Sequence, residues 1–314
     1  MKLASIGECM IELSRRPGGV YALAHGGDTL NTSVYLVRLG AAVDYVTALG
    51  DDPYGDAMVA SWQAEGVGIA RVTRMTGRTT GLYIIETDDK GERRFYYWRD
   101  RSPAREIFAM PDTPALMEAL EAYDLVYLSG ISLSLYGDDG RGLLFDMLGR
   151  VRQRGGRVVF DSNYRPRNWP HGGAARGVFH QALGLTDIAL CGADDFRALF
   201  GGGSDADPVA ICQAQGVAEI VVKNEDAPAR IVTGDTDTTV PVEKKAKPVD
   251  TTAAGDSFNA GYLAARIAGA SPEDAARNGH RLAGAVIMHP GAIIPQDAMP
   301  QGMIRADSKE RIKS

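Results

Sequence analysis

The stretch Asp250-Thr251-Thr252-Ala253-Ala254-Gly255-Asp256-Ser257-Phe258 sets small residues beside a carboxylate. Phe258, Gly261, Tyr262 and Ala265 follow at i, i+3, i+4 and i+7, the spacing of one helix face. The first N–H groups of a helix lack intrahelical acceptors, and the helix dipole favours an anion there. The small side chains at Ala253, Ala254 and Gly255 let a phosphate approach the backbone, so the amides of Ala254, Gly255 and Asp256 can form an anion hole. Asp256 beside them can take a proton from a hydroxyl. That combination is a phosphoryl-transfer arrangement, in which positioning and charge neutralisation do most of the catalysis. The plainer alternative is a packed helix capped by Asp250 or Thr251.

Other segments offer chemistry of the same kind. Gly26-Gly27-Asp28, followed by Asn31, can hold sugar hydroxyls, or it can be an ordinary capping turn. Phe160-Asp161-Ser162-Asn163-Tyr164-Arg165-Pro166 follows a buried-type strand and therefore lies at its carboxyl end, where parallel sheets bind ligands. Asp161, Asn163 and Arg165 alternate and can share one face; the alternative is a salt-bridged loop. Phe95-Tyr96-Tyr97-Trp98-Arg99 is an aromatic strand ending in a cation. Guanidinium pairs bidentately with carboxylate, so Arg99 and Arg165 can select an acidic sugar over a neutral one. Lys223 closes a strand and can meet phosphate or simply lie at the surface. Asp194 and Asp195 can orient magnesium through water, or form the polar start of a helix. The five histidines show neither HxxxH nor HExxH spacing and read as structural.

The elements that must position these residues follow from periodicity. Strands are expected at residues 3–6, 43–49, 80–86, 93–98, 125–128, 157–160, 188–190 and 219–223, with a short extended piece from residue 10 and a hairpin over 230–242. Helices are expected at 29–39, 58–65, 115–122, 143–154, 174–183, 194–200, 207–215 and 272–288, besides the one entered at 256. From about residue 112 strand and helix alternate, which predicts a mainly parallel sheet covered by helices on both faces. Residues 88–91 read as a hairpin turn, 243–245 as a solvated loop, and 10–24 with the 80–98 hairpin as a small β-rich piece set apart.

The composition is ordinary for a soluble globular protein: 314 residues, 45% hydrophobic and 24% charged. Cys9, Cys191 and Cys212 are far apart and form no CxxC, which suggests neither zinc nor a disulfide framework and fits a reducing cytoplasm. A net charge of -6 argues against nucleic-acid or anionic-membrane partners. The apolar run at the start is too short for a signal peptide, and none approaches the ~18 residues of a membrane span.

Together these segments resemble the ribokinase-like (PfkB) family of sugar kinases over about residues 3–300. The resemblance rests on Gly26-Gly27, Gly50-Asp51-Asp52 and the stretch ending in Asp256, in that order. Gly7-Glu8-Cys9-Met10-Ile11-Glu12-Leu13, Phe95 to Arg99, Asp161 to Pro166, the doubled alanine at 253–254 and Gly291-Ala292-Ile293-Ile294-Pro295 are most similar to the branch acting on 2-keto-3-deoxygluconate.

The resemblance implies a three-layer α/β sandwich, with one kinase domain over 1–306, a β lid from about 10–24 and 78–100, and a charged tail over 307–314. It implies ATP-dependent phosphorylation of the C6 hydroxyl with Asp256 as base. It places sugar contacts at Gly27, Asp28, Asn31, Tyr83, Tyr97, Arg99 and Arg165. It sets Asn163, Lys223 and the Ala253–Gly255 turn toward ATP and Mg2+ near Asp194 and Asp195, and it leaves a monovalent cation as a further option. It makes the protein cytoplasmic and homo-oligomeric through the lid. Two departures stand out: Cys191-Gly192-Ala193-Asp194-Asp195 lacks the family's asparagine, and Asn224-Glu225-Asp226-Ala227-Pro228 replaces a glycine-rich turn. Rival readings are a kinase for fructose, ribose or another sugar acid, a non-catalytic sugar sensor, and a nucleoside-binding protein.

Overall fold

The structure, a computed structural model, describes residues 1–87, 93–202, 207–224, 227–234, 236–242 and 247–307. The expected turn at 88–91, the loop at 243–245, Glu225, Asp226, Asp235 and the tail from 308 lie outside the described residues.

The chain opens with β1 (Lys2–Ile6), leaves the main sheet for β2 (Met10–Arg15) and β3 (Tyr21–Gly26), and returns through α1 (Asp28–Arg38) to β4 (Ala42–Gly50). Then follow α2 (Pro53–Ala64), β5 (Gly68–Met75), β6 (Leu82–Thr87) and β7 (Arg93–Trp98). The regular alternation begins with α3 (Thr113–Leu120), β8 (Leu125–Ser129), α4 (Gly130–Leu135), α5 (Asp138–Gln153), β9 (Arg157–Asp161), α6 (Gly172–Leu183) and β10 (Ile188–Gly192). It continues through α7 (Ala193–Phe200), α8 (Pro208–Ala214), β11 (Glu219–Lys223), β12 (Ala229–Thr233) and β13 (Thr236–Val240), and closes with α9 (Ala254–Ile267) and α10 (Pro272–Val286).

The main sheet runs β13-β12-β11-β10-β9-β8-β1-β4-β5 and is parallel except for β12 and β13. Alternation of side chains builds a core on each face. Val126, Leu128, Val158, Phe160, Ala189 and Cys191 enter one core with α3 to α8. Leu125, Tyr127, Val159, Ile188 and Leu190 enter the other with α1, α9 and α10. Strands buried on both faces explain the near-continuous apolar runs in the sequence and give the three-layer α/β architecture. A second sheet, β3-β2-β6-β7, stands apart, and its strands sit within the expected 10–24 and 78–100 segments apart from the last two residues of β3.

Two helices begin earlier than the apolar pattern indicates. Proline at the first position and the Asp52 cap, which accepts from Gly55 N–H at 2.8 Å, start α2 at Pro53 rather than 58. Helix α5 starts at Asp138 rather than 143, because Gly140 and Gly142 dilute the pattern. Helix α4 was not expected: Ile131-Ser132-Leu133-Ser134-Leu135 alternates like a strand, but Ser129 and Ser132 form a capping box that starts a helix. Strand β5 was also missed; as the sheet's edge it is half-buried along most of its length and shows no two-residue period.

Candidate active site

The turn into α9 is held from both sides. The Asp250 carboxylate accepts from the Thr252 N–H at 2.9 Å and the Gly291 N–H at 2.8 Å, so it organises the turn rather than capping the helix. Ala253 is the first residue before the helix and lies in the left-handed region at φ 59°, a conformation that is strained for alanine. The Ala254 N–H donates to the Thr251 carbonyl at 3.2 Å. Of the three amides expected as an anion hole, those of Gly255 and Asp256 are therefore the open ones among the described residues.

In the first turn of α9, Asp256 is only 9% exposed. Its Oδ2 accepts from Asn31 Nδ2 at 2.9 Å, and its carbonyl accepts from the Thr32 hydroxyl at 3.2 Å. Helices α1 and α9 are thus joined at their N-termini, which brings residues 225 positions apart into one site. Burial, followed by the nearby charge of Asp28 and a further contribution from Asp161, pushes the Asp256 carboxyl up to about 7. The Asn31 hydrogen bond and the Lys223 charge oppose that rise.

The Gly26-Gly27 turn forms the floor. A Cβ on Gly27 would lie 2.2 Å from the Glu8 carbonyl oxygen, so only glycine allows α1 to start this close to β1's exit. Asp28 turns inward: its Oδ2 accepts from Ser129 Oγ at 2.5 Å and from Asn163 Nδ2 at 2.9 Å, and burial raises its carboxyl above the usual range. Asn163 has a φ of 25°, which places its amide on Asp28. Lys223 Nζ donates to Asp161 at 2.8 Å and to Asn259 at 2.9 Å, and lies 3.8 Å from where a Cβ on Gly255 would be. Lys223 is therefore a partly buried site cation, not a surface lysine.

The sugar-side residues expected on the second sheet are close together. The Tyr83 and Tyr97 rings lie 5.8 Å apart, and the Tyr83 hydroxyl bonds to Glu12. Arg99 differs from its expected freedom: its guanidinium pairs with the buried Glu8, which Ser102 also contacts. Arg165 lies 3.5 Å from Asp195. Asp195 also accepts from Ser162 Oγ at 2.7 Å, and burial raises its carboxyl. Asp194 is exposed and pairs with Arg197, so the two acids point to different partners. Among the described residues no group of three His, Cys, Asp or Glu could hold a metal.

The sequence reading missed Glu8, Asn259 and Arg167. Arg167 donates to the Tyr97 hydroxyl at 3.1 Å. Its place two residues beyond Arg165, across Pro166, is the one local signal for it.

Residues 1–299 match the pfkB family carbohydrate kinase. The chain is 46% identical over 306 residues to 2-dehydro-3-deoxygluconokinase of Escherichia coli (strain K12), covering 95% of this chain and 99% of that protein. It is 45% identical over 305 residues to 2-dehydro-3-deoxygluconokinase of Dickeya dadantii (strain 3937), covering 95% and 98%. Among solved structures, aminoimidazole riboside kinase from Salmonella enterica, complexed with aminoimidazole riboside and an ATP analog, superposes with a TM-score of 0.82 at 23% identity, covering 96% of each chain.

Proposed function

Because the chain belongs to the pfkB family of carbohydrate kinases, we propose that it transfers the γ-phosphoryl group of ATP to the C6 hydroxyl of 2-keto-3-deoxy-D-gluconate, giving 2-keto-3-deoxy-6-phosphogluconate and ADP. The observation that carries the mechanism is Asp256: a buried carboxylate, fixed by Asn31, beside two open helix amides. Asp256 takes the hydroxyl proton, and its raised affinity for a proton matches a base working near neutral pH. The amides of Gly255 and Asp256 and the Lys223 ammonium neutralise charge growing on the transferred group. Asn163 lies on the same side through Asp28.

These donors fit a nucleotide's phosphates: two open amides and one partly buried cation. For Mg2+, Asp195 beside Ser162 is the acid better placed to give a hard oxygen ligand, since Asp194 pairs with Arg197, and an ion carried by ATP phosphates would need only one or two carboxylates from the protein. When bound, that ion would supply neutralisation of phosphate charge. Tyr83, Tyr97 and the arginines after β9 support an acidic sugar, while Gly27 and Asn31 suit its hydroxyls. An ATP-consuming step of this kind belongs in the cytoplasm.

Residues 1–306 form one kinase domain in this reading, with β2, β3, β6 and β7 as a lid that closes over the sugar and excludes water. Strand register puts Tyr21, Leu23, Tyr96 and Trp98 on the lid face opposite Tyr83 and Tyr97. They are 45%, 58%, 44% and 58% exposed, an apolar face suited to a second copy of the chain. Trp98→Arg would then lower the mass measured by light scattering from dimer to monomer, and a wild-type monomer would end that part of the reading.

ADP release with a panel of sugar acids and neutral sugars tests the substrate. Fastest turnover on 2-keto-3-deoxygluconate supports the proposal. The Glu8 partner of Arg99 favours a second reading, a kinase for a neutral ketose, and higher kcat/KM on fructose would establish that instead.

A further inference from the structure

Lys223 reaches the anion hole from the end of β11, and two partners fix its ammonium. Asp161, at the end of β9, accepts at 2.8 Å, and Asn259 of α9 accepts at 2.9 Å. An ammonium has three donors, so the described residues leave one N–H for a ligand. That N–H belongs to a group 3.8 Å from where a Cβ on Gly255 would be, beside the open turn into α9. Asp161 holds the lysine from the sheet. Asn259 holds it from the helix that carries the hole, three residues after Asp256 and so on a neighbouring position of the same face.

Asn259 is fully buried, and its amide has one workable orientation. Lys223 only donates, so it requires Oδ1, and Nδ2 then faces the Tyr127 hydroxyl, which accepts at 3.1 Å. Tyr127 is fully buried on β8, and its own proton is left for Thr32 Oγ1 at 3.2 Å. The Thr32 hydroxyl in turn lies 3.2 Å from the carbonyls of Asp28 and Asp256. The donors therefore point one way along this chain, from the Lys223 ammonium to the first turn of α9, and each bond polarises the next. A neutral amide orients the ammonium without adding a second negative charge beside the hole.

We propose that Asn259 is a positioning residue for phosphoryl transfer, which turns the remaining N–H of Lys223 toward the transferred group. The proposal rests on the kinase reading above but not on the identity of the sugar. In the full chain, Asn259→Leu keeps the side-chain size and removes the acceptor. It should lower kcat roughly ten- to a hundred-fold, the range for a hydrogen bond to a charged group. KM for the sugar should stay within about two-fold, a split that general loosening of the site would not produce. Tyr127→Phe never touches Lys223 and removes only the hydroxyl that orients the amide; it should lower kcat about three- to ten-fold. In a Lys223→Gln background, where the glutamine amide can still donate to Asp161, Asn259→Leu should change kcat by less than about two-fold, because its route of action is gone. Full multiplication of the two losses, a rise in sugar KM that matches the fall in kcat, or a kcat within about two-fold of wild type in Asn259→Leu overturns the positioning role. If Asn259→Leu does not fold, Tyr127→Phe decides, and a wild-type kcat in that variant overturns the role. Absence of ADP release by the wild type with every sugar is a different failure: it removes the kinase reading and this role with it.

Discussion

Asp28→Asn gives a test of how the base is tuned. Asp28 does not touch Asp256, yet its charge is the largest contribution to the raised Asp256 carboxyl after burial. Asparagine keeps the size of the side chain and one oxygen to accept from Ser129 or Asn163. The full rise takes Asp256 from 3.8 to about 7. Burial supplies the largest share, and Asn31 and Lys223 subtract from the total. Removing the Asp28 charge should therefore lower Asp256 by about one pH unit. The base works deprotonated, so the acid limb of kcat/KM should move down, from about pH 7 to about pH 6. At about pH 6 the variant would then run at about half its plateau, whereas the wild type would run at about a tenth. The assay is kcat/KM for the sugar at saturating ATP across this range, read from the shape of the profile, because Asp28 also borders the sugar site. An acid limb that stays in place, or moves upward, would refute this account of the base.

Asp256→Asn should abolish turnover while the protein stays folded. Because the folded-state carboxyl titrates above its unfolded value, its stabilising contribution is complete below 3.8 and is lost as pH rises through about 7. The asparagine variant should therefore be more stable than wild type by about 2–4 kcal/mol above pH 7, read from urea midpoints, and equal or lower stability there contradicts the assignment. Lys223→Met strands the buried Asp161 carboxylate and should cost about 3–5 kcal/mol near neutral pH; a loss below about 1 kcal/mol would mean that the pair does not form. Gly27→Ala should cost about 1–3 kcal/mol in thermal unfolding and weaken sugar binding, since its Cβ meets the Glu8 carbonyl; an unchanged melting temperature would argue against that contact.

Much of the architecture was legible because buried parallel strands such as Val158-Val159-Phe160 feed two cores at once and carry no polar interruptions. The active-site stretches were legible for a related reason: each follows a strand or opens a helix, where backbone groups are free by geometry. What stayed hidden depends on distance or on local turns. No spacing rule announces that Glu8 neutralises Arg99, because the two are 91 positions apart. Arg167 escaped because Pro166 starts a turn that ends the alternation linking Asp161, Asn163 and Arg165. The small residues around Ala254 suggest an open amide, whereas the left-handed Ala253 folds it back onto Thr251. Strand β5 and helix α4 were lost because an edge position and a serine capping box override hydrophobic period.

The three residues between β1 and β2 give the second sheet an unusual evolutionary constraint. A Cβ on Gly7 would strike the Thr29 hydroxyl at 2.0 Å, the Glu8 carbonyl lies against Gly27, and the Glu8 side chain holds Arg99 and Ser102 where the chain leaves that sheet. The sheet therefore cannot be exchanged as a cassette. A recombinant that imports strands β2, β3, β6 and β7 from a distant relative must bring residues 7–9, 27–29 and 99–102 from the same parent, or its junctions will clash. Shuffled libraries with crossovers inside those junctions should yield few folded members, whereas crossovers in the α5–β9 connection should be tolerated.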